Sequence, residues 1–434
     1  MTNMPFGFSS GNPDDSGENK PSGGGPMGEF DVSQLGQMLS QLGQMLSQQG
    51  SSAGPVNYDL ARQIAIQQLT PSGLGGTEQA DAVKDAVRLA ELWLEPVTTL
   101  PAGATKAEAW SARDWVEHTM PTWQRLCDPV ARRVPGAWVE ALPDEAKQAA
   151  GPMLAMVSQM GGMAFGSQLG GALAQLGAEV LTSTDVGIPL GPEGVAALLP
   201  ANIEKFTAGL ERPAGEVMVY LATREAAHQR LFAHVPWLRQ RLLATVEEYA
   251  SGIKVDTSAL EQLAGQVDPS NPESIEQMMS SGVLQPQTTP AQQAALDRLE
   301  TLLALVEGWV DVVVAEAIGD RLPGADALRE TLRRRRASGG PAEQTFATLV
   351  GLELRPRRLR AASNLWALVS DRHGIKVRDG LWAHPDLVPT ASDLDEPLDF
   401  ADRLGDGPSV LGDDPIAELE RTEQAERDER DKPE

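Results

Sequence analysis

The 434-residue chain has little cysteine, few aromatic residues and too few positive charges to balance its acids. Its one cysteine, Cys127, excludes a disulfide framework and any zinc site built from two or more cysteines. The formal net charge of −25 argues against general binding to nucleic acid. The first residues lack the basic and apolar regions of a secretion signal. We therefore expect a cytoplasmic protein that does not bind nucleic acid.

Runs that alternate between apolar and polar residues, which are typical of strands, are also scarce. Apolar residues instead recur at helical spacing in 57–69, 77–97 and 106–134, and a similar pattern continues along the chain. The best candidate for a short extended segment is EVLTSTDVGIPLGP at 179–192. We predict a mainly α, multi-helix domain over residues 55–390.

Three segments outside that domain differ in composition. Residues 1–33 are rich in Gly, Ser, Pro and Asn and are predicted to be disordered, and so is the acidic tail at 391–434. Residues 34–54 contain QLGQMLS twice in succession, which predicts a short amphipathic helix at 34–47 followed by a linker. That helix could dock on the main domain, or it could mediate self-association.

The stretch at 153–178 contains no charged residue and is long enough to span a bilayer. Serine and glutamine residues interrupt it, and no basic clusters flank it. Gly162, Gly166 and Gly170 lie four residues apart, so they share one helical face. Because each glycine costs a helix about 1 kcal/mol relative to alanine, close packing of another helix must compensate. We predict a buried helix and no contact with a membrane.

The segment YLATREAAHQRLFAHVPWL at 220–238 differs by one residue from a zinc-hydrolase motif. In H-E-x-x-H, two histidines one helical turn apart bind zinc, and the glutamate takes a proton from the metal-bound water. Here Arg224 stands at the first histidine position, followed by Glu225 and His228. Arginine cannot donate a lone pair to a metal, so the first ligand is missing.

A second segment, TLLALVEGWVDVVVA at 301–315, carries two acids on an otherwise apolar helix. Glu307 and Asp311 are four residues apart and share a face. Buried carboxylates need partners, and His228, Arg224 or a metal ion could supply them. An acid one turn from a metal ligand can also orient a ligating histidine through a hydrogen bond, which is the role predicted for Asp311.

Four segments together resemble a known family. They are REAAHQRLFAHVPWL, LVEGWVDVVV, LRRRRASGGPAEQTFATLVGLELRPRRLR and LWAHPDLVPTASDLDEP. They are similar to an actinobacterial zincin-like family of hydrolases, commonly described as zinc-dependent metalloproteases, with a sister branch associated with deazaflavin-cofactor biosynthesis genes. The resemblance covers most of residues 30–400. It implies an α-rich zincin-like fold, zinc as cofactor, and a peptide or protein as substrate or ligand.

The resemblance also implies roles for individual residues. The sister branch carries a complete H-E-x-x-H, whose first ligand aligns with Arg224, its base with Glu225 and its second ligand with His228. Its downstream acid ligand aligns with Glu307, and it tends to have histidine where this chain has Trp309. The motif in this chain is therefore degenerate.

Three interpretations remain open. In the first, the protein is a zinc hydrolase in which Glu225 is the general base, His228 and Glu307 bind zinc, and His234 or His384 completes the site. In the second, Arg224 fills the place of the metal as a fixed cation, and an inactive pseudoenzyme binds a peptide or protein in the remnant cleft. The third is a structural or assembly role through the helix at 34–47.

The second interpretation is favoured because zinc takes three or four protein ligands. Arg224 would also repel a metal ion: two unit charges about 4 Å apart interact by about 4 kcal/mol at an effective dielectric constant of about 20, and a divalent ion roughly doubles this.

Residues 327–366 contain nine arginines and no lysine. This composition favours paired contacts between guanidinium groups and carboxylates within the fold. Binding of a small anion or acidic peptide is a second interpretation, and nucleic-acid binding is the weakest because the surroundings are acidic.

Overall fold

The structure is a computed structural model, and it describes residues 55–69, 77–140, 151–210, 212–252, 289–337, 345 and 358–406. The predicted N-terminal tail, the helix predicted at 34–47 and the acidic segment from residue 407 lie outside the described residues. The predictions of disorder and of self-association therefore stay predictions.

The described part of the chain is mainly α-helical, as the sequence predicts. Pro213 precedes the helix that carries the R-E-A-A-H segment, and Pro236 starts the next one, where its fixed φ suits the first helical turn. In chain order the helices are α1 Tyr58–Gln68, α2 Thr77–Leu94, α3 Ala112–Glu140, α4 Gly151–Gly177, α5 Pro200–Thr207, α6 Ala214–His234, α7 Pro236–Ser251, α8 Pro290–Ile318, α9 Ala325–Ala337, α10 Leu359–Gly380, α11 Ala391–Asp395 and α12 Pro397–Asp406, with 3₁₀ turns at Gly319–Arg321 and Leu381–Ala383.

Two short strands form a small parallel sheet. Strand β1 is Lys106–Ala109 and strand β2 is Val195–Leu198, paired from Lys106 with Val195 to Ala109 with Leu198. The prediction of helix from residue 106 was therefore wrong for the first four residues, because their pairing with the distant β2 outweighs their weak helical preference. In the predicted extended segment, Thr182 forms an antiparallel bridge to Leu198, and turns make up much of the remainder.

Helix α4 contains most of the uncharged stretch, and its glycine face lies against the start of the domain. A Cβ atom on Gly166 would be 2.5 Å from the carbonyl oxygen of Asn57, and one on Gly170 would be 2.6 Å from that of Ala61. The predicted close approach of a second helix, α1, is thus confirmed. Within the described ranges, no helix is long and apolar enough to cross a membrane.

Helix α8 runs through the centre of the fold. All residues from 302 to 314 are buried, including Glu307 and Asp311, and the helix packs against α6, α7 and α10. Gly308 allows a close approach to α10, since a Cβ atom there would be 2.7 Å from the Cβ of Ala362. Both acids of α8 must therefore find their partners inside the protein.

The predicted domain boundary at residue 390 was wrong. Helices α11 and α12 continue the fold to at least residue 406, and Phe400 and Ala401 are buried. The imidazole Nε2 of His373, on α10, lies 2.8 Å from the carbonyl oxygen of Ala401. Asp399 and Asp402 occupy the exposed side of the short amphipathic helix α12, and its high charge hid the apolar side from the sequence analysis.

Replacement of Gly166 by alanine tests the contact between α1 and α4. The new methyl group would overlap the backbone at Asn57, so we expect a loss of about 1–3 kcal/mol in the free energy of unfolding. Gly171→Ala in the same helix is the control, because nothing lies within 4 Å of its added Cβ atom. This variant should gain up to about 1 kcal/mol from the better helix propensity of alanine. Urea denaturation followed by circular dichroism measures the free energy of unfolding of both variants. Equal values for Gly166→Ala and Gly171→Ala would rule out the close approach of α1 to α4.

Candidate functional site

The R-E-A-A-H segment lies in the interior of the protein. Every residue from 220 to 231 of α6 is buried, because α2, α5, α8 and β2 all pack against this helix. Polar side chains on several faces of α6 are consequently held in the core, where each needs a hydrogen-bonding partner.

Three of the predicted site residues meet in one buried cluster, which we call the Arg224 triad: Arg224, His228 and Glu307. The guanidinium of Arg224 donates a hydrogen bond from Nη2 to Oε2 of Glu307 over 2.6 Å. Nε2 of His228 lies 3.0 Å from Oε1 of the same carboxylate. The exposed fraction of the side chain is 11% for Arg224 and 2% for the other two. The triad therefore joins α6 to α8 in the core.

Both nitrogens of His228 face hydrogen-bond acceptors. Nδ1 lies 2.9 Å from the backbone carbonyl oxygen of Arg224, one turn earlier in α6, while Nε2 faces Glu307. Both contacts are hydrogen bonds only when both nitrogens carry protons. A histidine that binds a metal must instead present a lone pair. A contact from Nδ1–H to a backbone carbonyl is also the one that orients metal-binding histidines, so Nε2 is the nitrogen of His228 that could bind an ion, and it faces Glu307.

Arg224 is a permanent cation in this cluster. Burial lowers the pKa of its guanidinium, but the charges of Glu307, Tyr220 and Asp311 raise it more, so the pKa lies above its ordinary value. A positive charge is therefore fixed beside Glu307 at every pH at which the protein is folded. Under the resemblance described in the sequence analysis, position 224 corresponds to a metal ligand.

A loop covers the triad on the side of Glu307. Gly187 has a φ of +82°, a conformation that side chains other than glycine rarely adopt, and a Cβ atom there would lie 3.0 Å from Oε1 of Glu307. The sequence analysis missed this glycine. The feature of the sequence that could have indicated its role is its position in a turn-rich segment before β2.

Glu225, the predicted general base, has different partners from the triad. Its Oε1 accepts hydrogen bonds from Oγ of Ser183 and Nε2 of Gln229, and its Oε2 accepts from Oγ1 and the backbone nitrogen of Thr184. The lengths are 2.6, 2.9, 2.6 and 3.1 Å, and the side chain is fully buried. The carboxylate thereby anchors the loop before β2 to α6. The run Thr-Ser-Thr at 182–184 was the signal for these donors.

Asp311 does not bind His228, so the predicted role in orienting that imidazole was wrong. Its carboxylate accepts hydrogen bonds from Arg329, from Arg333 over 2.5 Å and from Oγ of Ser363 over 3.1 Å. Burial raises the pKa of Asp311, but Arg329 and then the charges of Arg224 and Arg333 lower it more, so the pKa lies below its ordinary value.

The arginine-rich segment is thus joined to the core by ion pairs. Besides the two arginines on Asp311, Arg335 donates to Oδ2 of Asp185 over 3.0 Å. Pairing within the fold, the favoured interpretation of the arginine cluster, is confirmed for these three.

The additional candidates lie away from the triad. His234 is exposed and its Nε2 is 3.3 Å from the carbonyl oxygen of Ala102, and the side chain of His384 is 62% exposed. Trp309 is buried and donates from Nε1 to Asp379 over 2.9 Å. In the part of the chain that the structure describes, no group of three or more His, Cys, Asp or Glu side chains is arranged to hold a metal ion. The donor set does not fit a zinc site.

A cleft of about 660 Å³ lies beside this buried region, and we call it the α6 cleft. Thr184 and Gln229, which bind Glu225, line it, and so does Phe232, whose ring is stacked near His228 with a centroid distance of 6.1 Å. None of the three triad residues lines the cleft. A ligand in the cleft would therefore contact the residues that hold Glu225 rather than the triad.

Comparison with known proteins identifies the class to which this fold and site belong. The sequence profile of the family described as "Zincin-like metallopeptidase" matches residues 56–401. The chain therefore belongs to the zincin-like metallopeptidase family. No curated protein is significantly similar in sequence.

One solved structure shares the fold: a protein from Chloroflexus aurantiacus described as a "putative hydrolase with a novel fold". It is 18% identical, with a TM-score of 0.55, and the match covers 81% of this chain and 100% of that one.

Removal of the Arg224 charge should strongly destabilise the protein. In Arg224→Met the carboxylate of Glu307 still contacts His228, but it no longer has a cation beside it in the core. We therefore expect a loss of about 3–5 kcal/mol in the free energy of unfolding. The double variant Arg224→Met, Glu307→Gln removes both charges and should recover most of that loss. Urea denaturation of the two variants and the parent gives the coupling energy. Additive effects would contradict a direct ion pair.

The arginines around Asp311 predict a dependence of stability on pH. The lowered pKa of Asp311 in the folded state stabilises the protein above the unfolded pKa of about 3.9, and this contribution is lost as the pH falls through the folded pKa. Asp311→Asn should therefore be less stable than the parent at pH 7, and the difference should shrink below about pH 4. Asp371→Asn, at an exposed position on α10, should match the parent at both pH values. A constant difference for Asp311→Asn would contradict the ion pairing.

Proposed function

We propose that this protein is a catalytically inactive member of the zincin-like metallopeptidase family, which binds no metal at the Arg224 triad and holds a peptide or protein segment in the α6 cleft. One observation carries the proposal: the Arg224 guanidinium is hydrogen-bonded to Glu307, the acid that the family pattern assigns to the metal.

The chemistry of the donor set supports a metal-free site. A zinc hydrolase needs three protein ligands and an open position for water. Here one ligand position is a cation, Nε2 of His228 faces Glu307, and both oxygens of Glu307 already have partners. A metal ion would have to displace the guanidinium and break these hydrogen bonds.

The surroundings of Glu225 support the loss of catalysis. A general base must reach the proton that it takes, either directly or through one water molecule. Four hydrogen bonds from Ser183, Thr184 and Gln229 occupy the two oxygens of Glu225, and the carboxylate is fully buried. In this arrangement Glu225 stabilises a loop beside the cleft.

The α6 cleft supports a binding function. Its volume falls within the range of about 300–1,000 Å³ that is usual for ligand sites. Apolar side chains such as Phe232 and Leu243 line it together with polar ones such as Gln240 and Thr105. Arg224 itself is engaged by Glu307, so the ligand would not pair with it.

Metal analysis of the purified protein tests the inactive site. We expect far less than one zinc per chain, and a melting temperature that chelators do not change. Arg224→His restores H-E-x-x-H and should gain zinc, since two imidazoles and Glu307 could then share one ion. Arg224→Gln is the matched control, because it removes the same charge without adding an imidazole, and it should stay free of zinc.

Stoichiometric zinc in the parent protein, lost in His228→Ala, would overturn the proposal and support an active hydrolase.

A further inference from the structure

Two arginines from different helices line the α6 cleft together. Arg125 belongs to α3 and Arg239 to α7. The side chain of Arg239 is 19% exposed, and it donates a hydrogen bond from Nη2 to the carbonyl oxygen of Gly191 over 2.9 Å. Two guanidinium groups in one cleft form a fork of donors that suits an anion.

Neither arginine has a strong internal counter-ion. Among the described residues, Arg239 pairs with Glu193, which also lines the cleft, with 3.8 Å between Nε and Oε1, and the Glu193 side chain is 83% exposed. For Arg125, no ion pair is found with any residue that the structure describes. Arg125 lies at an exposed position, so its guanidinium is accessible to a ligand.

The two arginines line the same cleft, and their positive charges oppose each other there. Burial lowers the pKa of Arg239, Glu193 partly opposes this, and the charge of Arg125 lowers it further, so the pKa lies below its ordinary value. An anion between the two groups would remove this repulsion. Helix α7 also begins at Pro236, which lines the cleft, and the N-terminus of a helix carries partial positive charge.

The remaining lining indicates a ligand larger than an inorganic ion. Phe232 and Leu243 offer apolar surface, and the cleft is much larger than a phosphate or sulfate would fill. A ligand with an anionic group and an apolar portion satisfies these features, and in a peptide the anionic group is a carboxylate.

We propose that Arg125 and Arg239 bind the carboxylate of a peptide, whose neighbouring apolar side chain lies against Phe232 and Leu243 in the α6 cleft. This inference rests on the proposed binding function and names the class of ligand. The carboxylate has two possible sources, a free C-terminus or an Asp or Glu side chain, and the experiment below separates them.

Fluorescence titration of the full-length protein with three dansyl-labelled peptides tests the proposal. The first, Ala-Ala-Ala-Leu, has a free C-terminus, the second is its C-terminal amide, and the third is the amide of Ala-Glu-Ala-Leu. At least one carboxylate peptide should bind about tenfold or more tightly than the neutral amide, as expected for a charge-assisted contact. The first peptide identifies a terminal carboxylate and the third a side-chain carboxylate.

Variants of the parent protein test the two arginines. Arg125→Gln and Arg239→Gln should each weaken binding of the preferred peptide about tenfold or more. Arg241→Gln is the matched control, since it removes the same charge from an exposed position two residues further along α7, and it should leave the affinity unchanged. Because Arg239 also binds the Gly191 loop, Arg239→Lys keeps the charge and should retain part of the affinity.

The inference is overturned by equal binding of all three peptides, by no binding at millimolar concentration, or by unchanged affinity in both glutamine variants. Competition by inorganic phosphate without any preference for a carboxylate peptide also overturns it and leaves a simple anion site. These outcomes are independent of the zinc measurement. A metal-free protein without carboxylate preference refutes only this inference, whereas bound zinc refutes only the inactive site.

Discussion

The buried ion pair between Arg224 and Glu307 is the interaction on which the centre of the fold depends. Glu307 lies on a helix whose residues 302–314 are all buried, so its charge must be neutralised inside the protein. The guanidinium does this and at the same time crosslinks α6 to α8, with His228 on the second carboxylate oxygen. In the complete H-E-x-x-H site that the resemblance implies, a metal ion would make such a crosslink between helices. Under the proposed function, an arginine side chain makes it here.

The two acids of α8 show how one helix distributes its contacts. Glu307 is bound from α6, whereas Asp311, one turn later, is bound by Arg329 and Arg333 of α9 and by Ser363 of α10. Each acid thus ties different helices to the same central element. The family match over residues 56–401 includes all of these helices.

Much of the fold could be predicted from the sequence, because helical periodicity records which side of a helix is buried. The glycine face of α4 and the two isolated acids of α8 were visible for that reason. Contacts between distant segments were not. Two of the three residues that donate to Glu225, Ser183 and Thr184, lie about forty residues before it, and the arginines on Asp311 lie about twenty residues after it. No local pattern specifies such pairs, and the short strand β1 was missed for the same reason, whereas helix α12 was missed because of its high charge.

The hydrogen bonds that hold Glu225 make it difficult for this site to acquire hydrolytic activity. A change of one codon could place a histidine at position 224, but the oxygens of Glu225 would still be hydrogen-bonded to Ser183, Thr184 and Gln229. Hydrolysis would also require the hydrogen bonds from Ser183 and Thr184 to Glu225 to break. Either change alone would give no catalytic activity. If the site is inactive as proposed, the loss of catalytic activity is difficult to reverse, and the fold is free to diverge as a binding protein.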